Sequence, residues 1–272
     1  MRWDPDQYLR FAALRMQPAQ DLLARIPLSA PRRVVDLGCG TGEVTLHLAI
    51  HWPQAAVLGV DGSESMLGRA QANDADWEET KPRVARVEWQ QSDIADWAPV
   101  PGEAPDLIFS NAALHWLPDH EQRFPRLLGF LAPGGCLAVQ MPMSWALPSH
   151  RLIRETLAEG GVGGTPLASP ALREQVARRP VGAAADYHAL LAPRCRSLDI
   201  WETVYLQTLY GEDPVLEWVQ GSALRPVLAG LEPGERRRFL EVYSERLRVA
   251  YPARADGGVL FPFPRLFIVA CV

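Results

Sequence analysis

Cysteine is scarce in this chain. The four residues, Cys39, Cys136, Cys195 and Cys271, lie far apart and form no CxxC pair. That excludes a zinc ribbon and a disulfide-stapled scaffold, and it predicts four reduced thiols. Basic excess is missing too: 27 Lys and Arg stand against 32 Asp and Glu, a net charge of −5. A surface that tracks nucleic-acid phosphates is not expected from that balance. No apolar run is long enough to cross a bilayer, and the opening Met-Arg-Trp-Asp-Pro has no apolar signal core. A cytoplasmic protein without membrane or nucleic-acid partners follows by elimination.

What is present is the composition of a globular chain. Of 272 residues, 48% are hydrophobic and 22% charged, enough for one generous domain. Trp3-Asp4-Pro5 reads as a helix start, with Asp4 as cap and Pro5 at the first turn. Helical spacing continues to about Ile26, with a kink or break expected at Pro18. Strands and helices then alternate. "RVVDLG", "AVLGVD", "ARVEWQQSD", "PDLIFSN" and "CLAVQMP" read as strands, separated by helices over 43–51, 63–73 and 121–131. Strands joined by helices imply parallel pairing and a doubly wound α/β sheet. After Pro142 the rhythm changes to helical stretches, a long strand "LDIWETVYLQTL", a helical region over 212–251 and a final apolar strand after "FPFP". The expected layout is one domain: a helical cap over 1–30, a sheet core over 31–142, helical insertions over 143–197 and 211–262 lying above the sheet's carboxyl edge as a lid, and a last strand over 264–272.

The chemistry concentrates at "VVDLGCGTGE", residues 34–43. Glycines directly after a first strand let a ligand approach the backbone, where doubly wound folds bind nucleotides. A dinucleotide fingerprint fails, because its last glycine would fall on Glu43, and no Lys-Ser or Lys-Thr follows for a phosphate loop. Asp36, just before the glycines, would repel pyrophosphate. It suits a ligand with a positive or hydrogen-donating end, such as the amino acid portion of S-adenosylmethionine. Asp61 ends the second strand, where a carboxylate can accept ribose hydroxyls or cap the next helix. Met66 can lie against an adenine face, Asp93 can accept from its amino group, and the Ile94 amide can bond the ring.

This ordered set resembles the class I S-adenosylmethionine-dependent methyltransferases. The resemblance implies a Rossmann-like sheet of order 3-2-1-4-5-7-6 with an antiparallel last strand. It also implies that Asp36, Gly38, Gly40 and Asn111 surround the methionine end, Asp61 the ribose, and Met66, Asp93 and Ile94 the adenine. No metal is implied.

A narrower resemblance runs from end to end. "WDPDQYLRF", "WPQAAVLGVD", "DLIFSNAALHWLPDH", "LAVQMP", "LDIW", "WVQGSALRP" and "FPRLFIVA" are similar to the trans-aconitate methyltransferase family. That implies methylation of a carboxylate of a small polyacid, giving a monomethyl ester and S-adenosylhomocysteine. A carboxylate acceptor is ionised at neutral pH and needs neutralising and positioning rather than a base. The candidates for that are Arg225 and Arg265 with Tyr8, with Trp116 and Trp145 as walls and Arg254 behind them. His115 either hydrogen-bonds the acceptor or is a packed polar residue. The family's "TGLRP" stands here as Ser222-Ala223-Leu224-Arg225-Pro226. The alternatives are a methyltransferase for another small acid or a hydroxylated metabolite, in which His115 would be the base, and a non-catalytic S-adenosylmethionine-binding protein.

Overall fold

In the computed structural model, residues 16–80, 85–221 and 223–272 are described. The expected helix start at Trp3-Asp4-Pro5 lies outside them. Helix α1, described over residues 16–23, includes Pro18 near the start of its described part.

Seven strands follow in chain order: β1 (Arg33–Leu37), β2 (Ala56–Asp61), β3 (Arg86–Gln91), β4 (Leu107–Asn111), β5 (Cys136–Pro142), β6 (Ser197–Leu209) and β7 (Val259–Cys271). They form one sheet of order β3-β2-β1-β4-β5-β7-β6. β1 pairs in parallel with β2 and β4, β2 with β3, and β4 with β5. β7 returns antiparallel to β5. This is the expected doubly wound topology.

The apolar content of each strand matches its place. Leu107, Ile108 and Phe109 of β4 and Leu137, Ala138 and Val139 of β5 have no exposed surface, as parallel strands covered on both faces require. β3, at one margin, alternates and exposes Arg86, Glu88 and Gln90. The crossovers are α2 (Glu43–His51), α3 (Glu64–Thr80) and α4 (His120–Gly129). α3 is longer than the expected 63–73, because Asp74 accepts from Trp89 Nε1 at 3.0 Å and Trp77 meets His47 edge-on at 5.9 Å.

The remaining helices are α5 (Pro148–Glu159), α6 (Pro170–Ala177), α7 (Ala184–Leu191), α8 (Pro214–Gln220), α9 (Leu224–Ala229) and α10 (Pro233–Ala250). The expected helical region over 212–251 is therefore three helices, ending at Gly221, Gly230 and Tyr251. β7 starts before "FPFP" rather than after it. Its pairing with β5 begins only at Arg265, so Pro262 and Pro264 remove no bond from that ladder.

The chain divides into two compact units. The first holds the described residues up to Pro142, Gly182–Thr203 and Arg265–Val272. The second holds Met143–Val181 and Val204–Pro264. In the second, α10 packs along α5, and Tyr243 and Tyr251 clasp the start of α5: Tyr243 Oη donates to the Ser149 carbonyl at 2.9 Å, and Ser149 N–H donates to Tyr251 Oη at 3.1 Å.

The expectation of four reduced thiols is corrected. Cys136 and Cys271 are joined by a disulfide. They are 135 residues apart in sequence, but the antiparallel return of β7 makes them direct cross-strand partners. Cys39 and Cys195 are free thiols. Among the described residues, no helix is long and apolar enough to cross a membrane.

Candidate active site

The turn after β1 is anchored to the end of β2. The N–H groups of Gly38 and Cys39 donate to the Val60 carbonyl at 2.8 and 3.0 Å. Gly38 (φ +84°) and Gly40 (φ +55°) hold left-handed conformations that side chains with a Cβ resist. The two glycines serve different ends. A Cβ on Gly38 would meet the Ala113 Cβ at 2.2 Å, so that glycine lets the turn pack on the chain after β4. A Cβ on Gly40 would meet none of the described residues within 4 Å, so among them that glycine borders open space where a ligand can reach the backbone.

Two carboxylates flank the turn. Asp36 is 1% exposed and accepts a hydrogen bond from Thr45 Oγ1 of α2 at 2.6 Å. Burial pushes its pKa up to about 7; the charge of Asp61 adds to the rise and the Thr45 bond opposes it. Asp61 Oδ2 accepts the Gly40 N–H at 2.9 Å and Oδ1 accepts the Ser63 N–H at 2.8 Å. Both sequence readings of Asp61 therefore meet in one side chain. It ties down the turn before α3, and each oxygen keeps acceptor capacity for another donor.

The other expected cofactor residues lie in the same unit. Met66 sits in the first turn of α3, its N–H directed at Ser63. Asp93 Oδ1 accepts the Ala95 N–H at 2.8 Å, forming a tight turn after β3. The Ile94 side chain reaches within 3.8 Å of where a Gly38 Cβ would stand. Asn111 ends β4, and its Oδ1 is buried without a hydrogen-bond partner among the described residues. A buried acceptor without a donor is costly, and a cationic ligand would relieve it. These features fit a ligand with an amino acid end and a nucleoside end: open backbone at Gly40, a buried carboxylate at Asp36 and an orphan acceptor at Asn111.

His115 and Trp116 lie in a short 3-10 turn after β4, their rings 4.8 Å apart, with Trp116 58% exposed. Arg265, at 6% exposure, donates from Nη1 to Gln140 Oε1 at 2.9 Å. Gln140 itself has no exposed surface and is the register partner of Asn111. Sequence reasoning missed Gln140 and Thr45. The signal for Gln140 was a lone polar residue within the apolar run "CLAVQMP".

Trp145, Arg225 and Arg254 belong to the second unit. Arg225 is exposed on α9, and Arg254 is exposed beside Asp256 at 3.9 Å. Ala223 adopts right-handed helical angles, φ −61° and ψ −30°, so nothing there demands the family's glycine. Tyr8 and Ser222 lie outside the described residues. Among those residues, no cluster of His, Cys, Asp and Glu is suited to a metal ion.

Comparisons with known proteins agree on the fold and on the family. A family model described as a methyltransferase domain matches residues 34–135. A trans-aconitate 2-methyltransferase from Pseudomonas aeruginosa is 47% identical over 271 residues, covering 99% of this chain and 94% of that protein. Another, from Azoarcus sp., is 47% identical and covers 98% of each chain. Among solved structures, the YcgJ protein of Bacillus subtilis aligns with a TM-score of 0.59 at 14% identity, over 94% of this chain and 97% of that one. The phosphoethanolamine N-methyltransferase 2 of Haemonchus contortus aligns at 0.53 and 16% identity, over 93% of this chain and 52% of that one. Likeness at that identity speaks for the fold alone.

Proposed function

Because this chain belongs to the trans-aconitate 2-methyltransferase family, we propose that it is an S-adenosylmethionine-dependent methyltransferase that esterifies a carboxylate of trans-aconitate to the monomethyl ester. The observation that carries this reading is identity near one half with relatives of that name over almost the whole of both chains. A cytoplasmic setting and a small polycarboxylate substrate, without nucleic-acid or membrane partners, belong to the same reading.

When bound, S-adenosylmethionine supplies an electrophilic methyl group on a sulfonium. In this reading the chain's task is to hold and to neutralise. Asp36 and Asn111 Oδ1 receive the cationic amino group, and Gly38 and Gly40 keep the backbone close. Asp61 takes the ribose hydroxyls, while Met66, Asp93 and Ile94 frame the adenine. Arg265, steadied by Gln140, receives an acceptor carboxylate in the first unit, and Tyr8, Arg225, Trp116 and Trp145 remain the further candidates of the sequence reading for acceptor contacts. The acceptor is already ionised, so no proton has to leave it and no base is required. His115 then acts as a hydrogen-bonding neighbour rather than as a catalyst.

The test is incubation with methyl-labelled S-adenosylmethionine and a panel of small di- and tricarboxylates. The expected result is an alkali-labile labelled ester with trans-aconitate. Product with another acid but none with trans-aconitate would replace the substrate and keep the chemistry.

A further inference from the structure

Among the described residues of the second unit, a half-buried cation takes part in no ion pair, although the charge of the neighbouring Glu155 acts on it. Helix α5 carries two glutamates, and both are engaged: Glu155 with Arg151, and Glu159 with Arg246 at 3.0 Å. Arg154, immediately before Glu155 on the same helix, makes no ion pair with any described residue. Its guanidinium instead lies over the Trp145 ring, 4.1 Å from the centroid. Trp145 brings a second unanswered donor, because its Nε1 is buried and has no hydrogen-bond partner among the described residues. An indole N–H shut away from water without an acceptor is disfavoured, and indole can only donate. The complement of a guanidinium beside an orphan N–H is a carboxylate, which accepts several hydrogen bonds at once.

The surroundings are built rather than incidental. Tyr243 and Tyr251 fix the start of α5 through the buried Ser149, so the backbone carrying Arg154 is held from two sides. His150, one turn before Arg154, has its pKa pushed down to about 4 by burial and by the Arg154 charge. The cluster therefore presents one positive charge near neutral pH, which a single carboxylate balances.

We propose that Trp145 Nε1 and the Arg154 guanidinium form a carboxylate subsite in the second unit, which takes one carboxylate of a small polycarboxylic acid. That the acid is the methyl acceptor rests on the function proposed above; the subsite itself does not.

The experiment is calorimetric titration of trans-aconitate, and of citrate, into the chain saturated with S-adenosylhomocysteine, with acceptor KM measured in parallel. Arg154→Gln is expected to weaken trans-aconitate binding at least tenfold and to raise KM by a like factor. Trp145→Phe keeps the ring under the guanidinium and removes only the N–H, so a smaller loss in the same direction is expected. Arg151→Gln, on the same helix but paired with Glu155, is the control and should bind like wild type. Melting temperature and S-adenosylhomocysteine affinity are expected to be unchanged in all three. Unchanged trans-aconitate affinity in a folded Arg154→Gln variant overturns the subsite, as does absence of trans-aconitate and citrate binding by the wild-type chain. Arg154-dependent binding without any ester would leave the subsite standing and remove the proposed reaction. Ester formation by Arg154→Gln with both KM and trans-aconitate affinity at wild-type values would do the reverse.

Discussion

Asp61 and Gly40 are tied by a hydrogen bond of 2.9 Å from the glycine N–H to Oδ2, while Oδ1 of the same carboxylate holds Ser63. One side chain thus sets both the turn after β1 and the start of α3. Its removal should act twice. Asp61→Ala is expected to weaken S-adenosylhomocysteine binding by about 1–3 kcal/mol, the scale of hydrogen bonds to a charged group. It should also lower the melting temperature, because two backbone N–H groups lose their acceptor. Asp61→Asn, which keeps one acceptor oxygen, should fall between. Calorimetry with melting curves on both variants checks this. Normal affinity with reduced stability would leave Asp61 as a helix cap alone.

Gly38 and Gly40 should fail in opposite ways. Gly38→Ala forces a Cβ into Ala113 and strains a left-handed residue, so a loss of roughly 2–4 kcal/mol in folding stability is expected. Ala113→Gly should recover part of that loss in the double variant, a non-additivity that a cycle of denaturation curves measures. Gly40→Val fills open space instead. It should stay folded, with only the strain of its positive φ, and lose cofactor binding. Cofactor affinity equal to wild type in a folded Gly40→Val variant would move the site elsewhere.

The sheet was legible from the chain because burial on both faces writes continuous apolar runs, and glycine and proline punctuate them. β1, β2, β4 and β5 and the turn with Asp36 stood out for that reason. The end of α3 did not, because "DADWEET" has no apolar periodicity and is helical through Trp89 and His47, which lie far off in sequence. Gln140 was visible as a polar residue in an apolar strand, but its bond to Arg265 depends on the return of β7. Arg154 was one arginine among many. Only the commitment of Glu155 and Glu159 to other cations sets it apart.

The Asp36 pKa has a signed consequence. Burial raises the folded-state value from 3.8 to about 7, with Asp61 contributing and Thr45 opposing. Between those values the folded chain holds a proton that the unfolded chain has lost. Stability from this group therefore falls as pH rises through that window, by up to roughly 4 kcal/mol. Asp36→Asn should remove that slope and be relatively more stable than wild type at pH 8. A cationic ligand favours the ionised form, so wild-type affinity for S-adenosylhomocysteine should decline below about pH 7, with a proton released on binding. Calorimetry in buffers of different ionisation enthalpy reads the proton directly. No proton release near pH 6 would mean that Asp36 does not meet the amino group.

The Cys136–Cys271 bond predicts a thiol count. Protein unfolded without reductant should show two reactive thiols, Cys39 and Cys195, and four after reduction. Cross-linking residues 135 apart should contribute about 2–4 kcal/mol, so reduction should lower the melting temperature. Four thiols before reduction would restore the sequence expectation and leave Cys136 and Cys271 as packed neighbours.

Arg265 and Gln140 supply the last test. The guanidinium is nearly closed off from water and bonded to Gln140, on strands β7 and β5. If Arg265 receives an acceptor carboxylate, Arg265→Lys keeps the charge and loses the fork, and acceptor KM should rise at least tenfold with cofactor affinity unchanged. Gln140→Leu fills a similar volume and removes the bond that orients the guanidinium, so a smaller rise in KM is expected. With the oriented fork already gone in Arg265→Lys, adding Gln140→Leu should cost little more. That sub-additivity separates positioning from packing, since two packing losses on neighbouring strands would appear as falling melting temperatures. Wild-type KM in both single variants, with melting temperatures reduced, would assign the pair to holding β7 against β5.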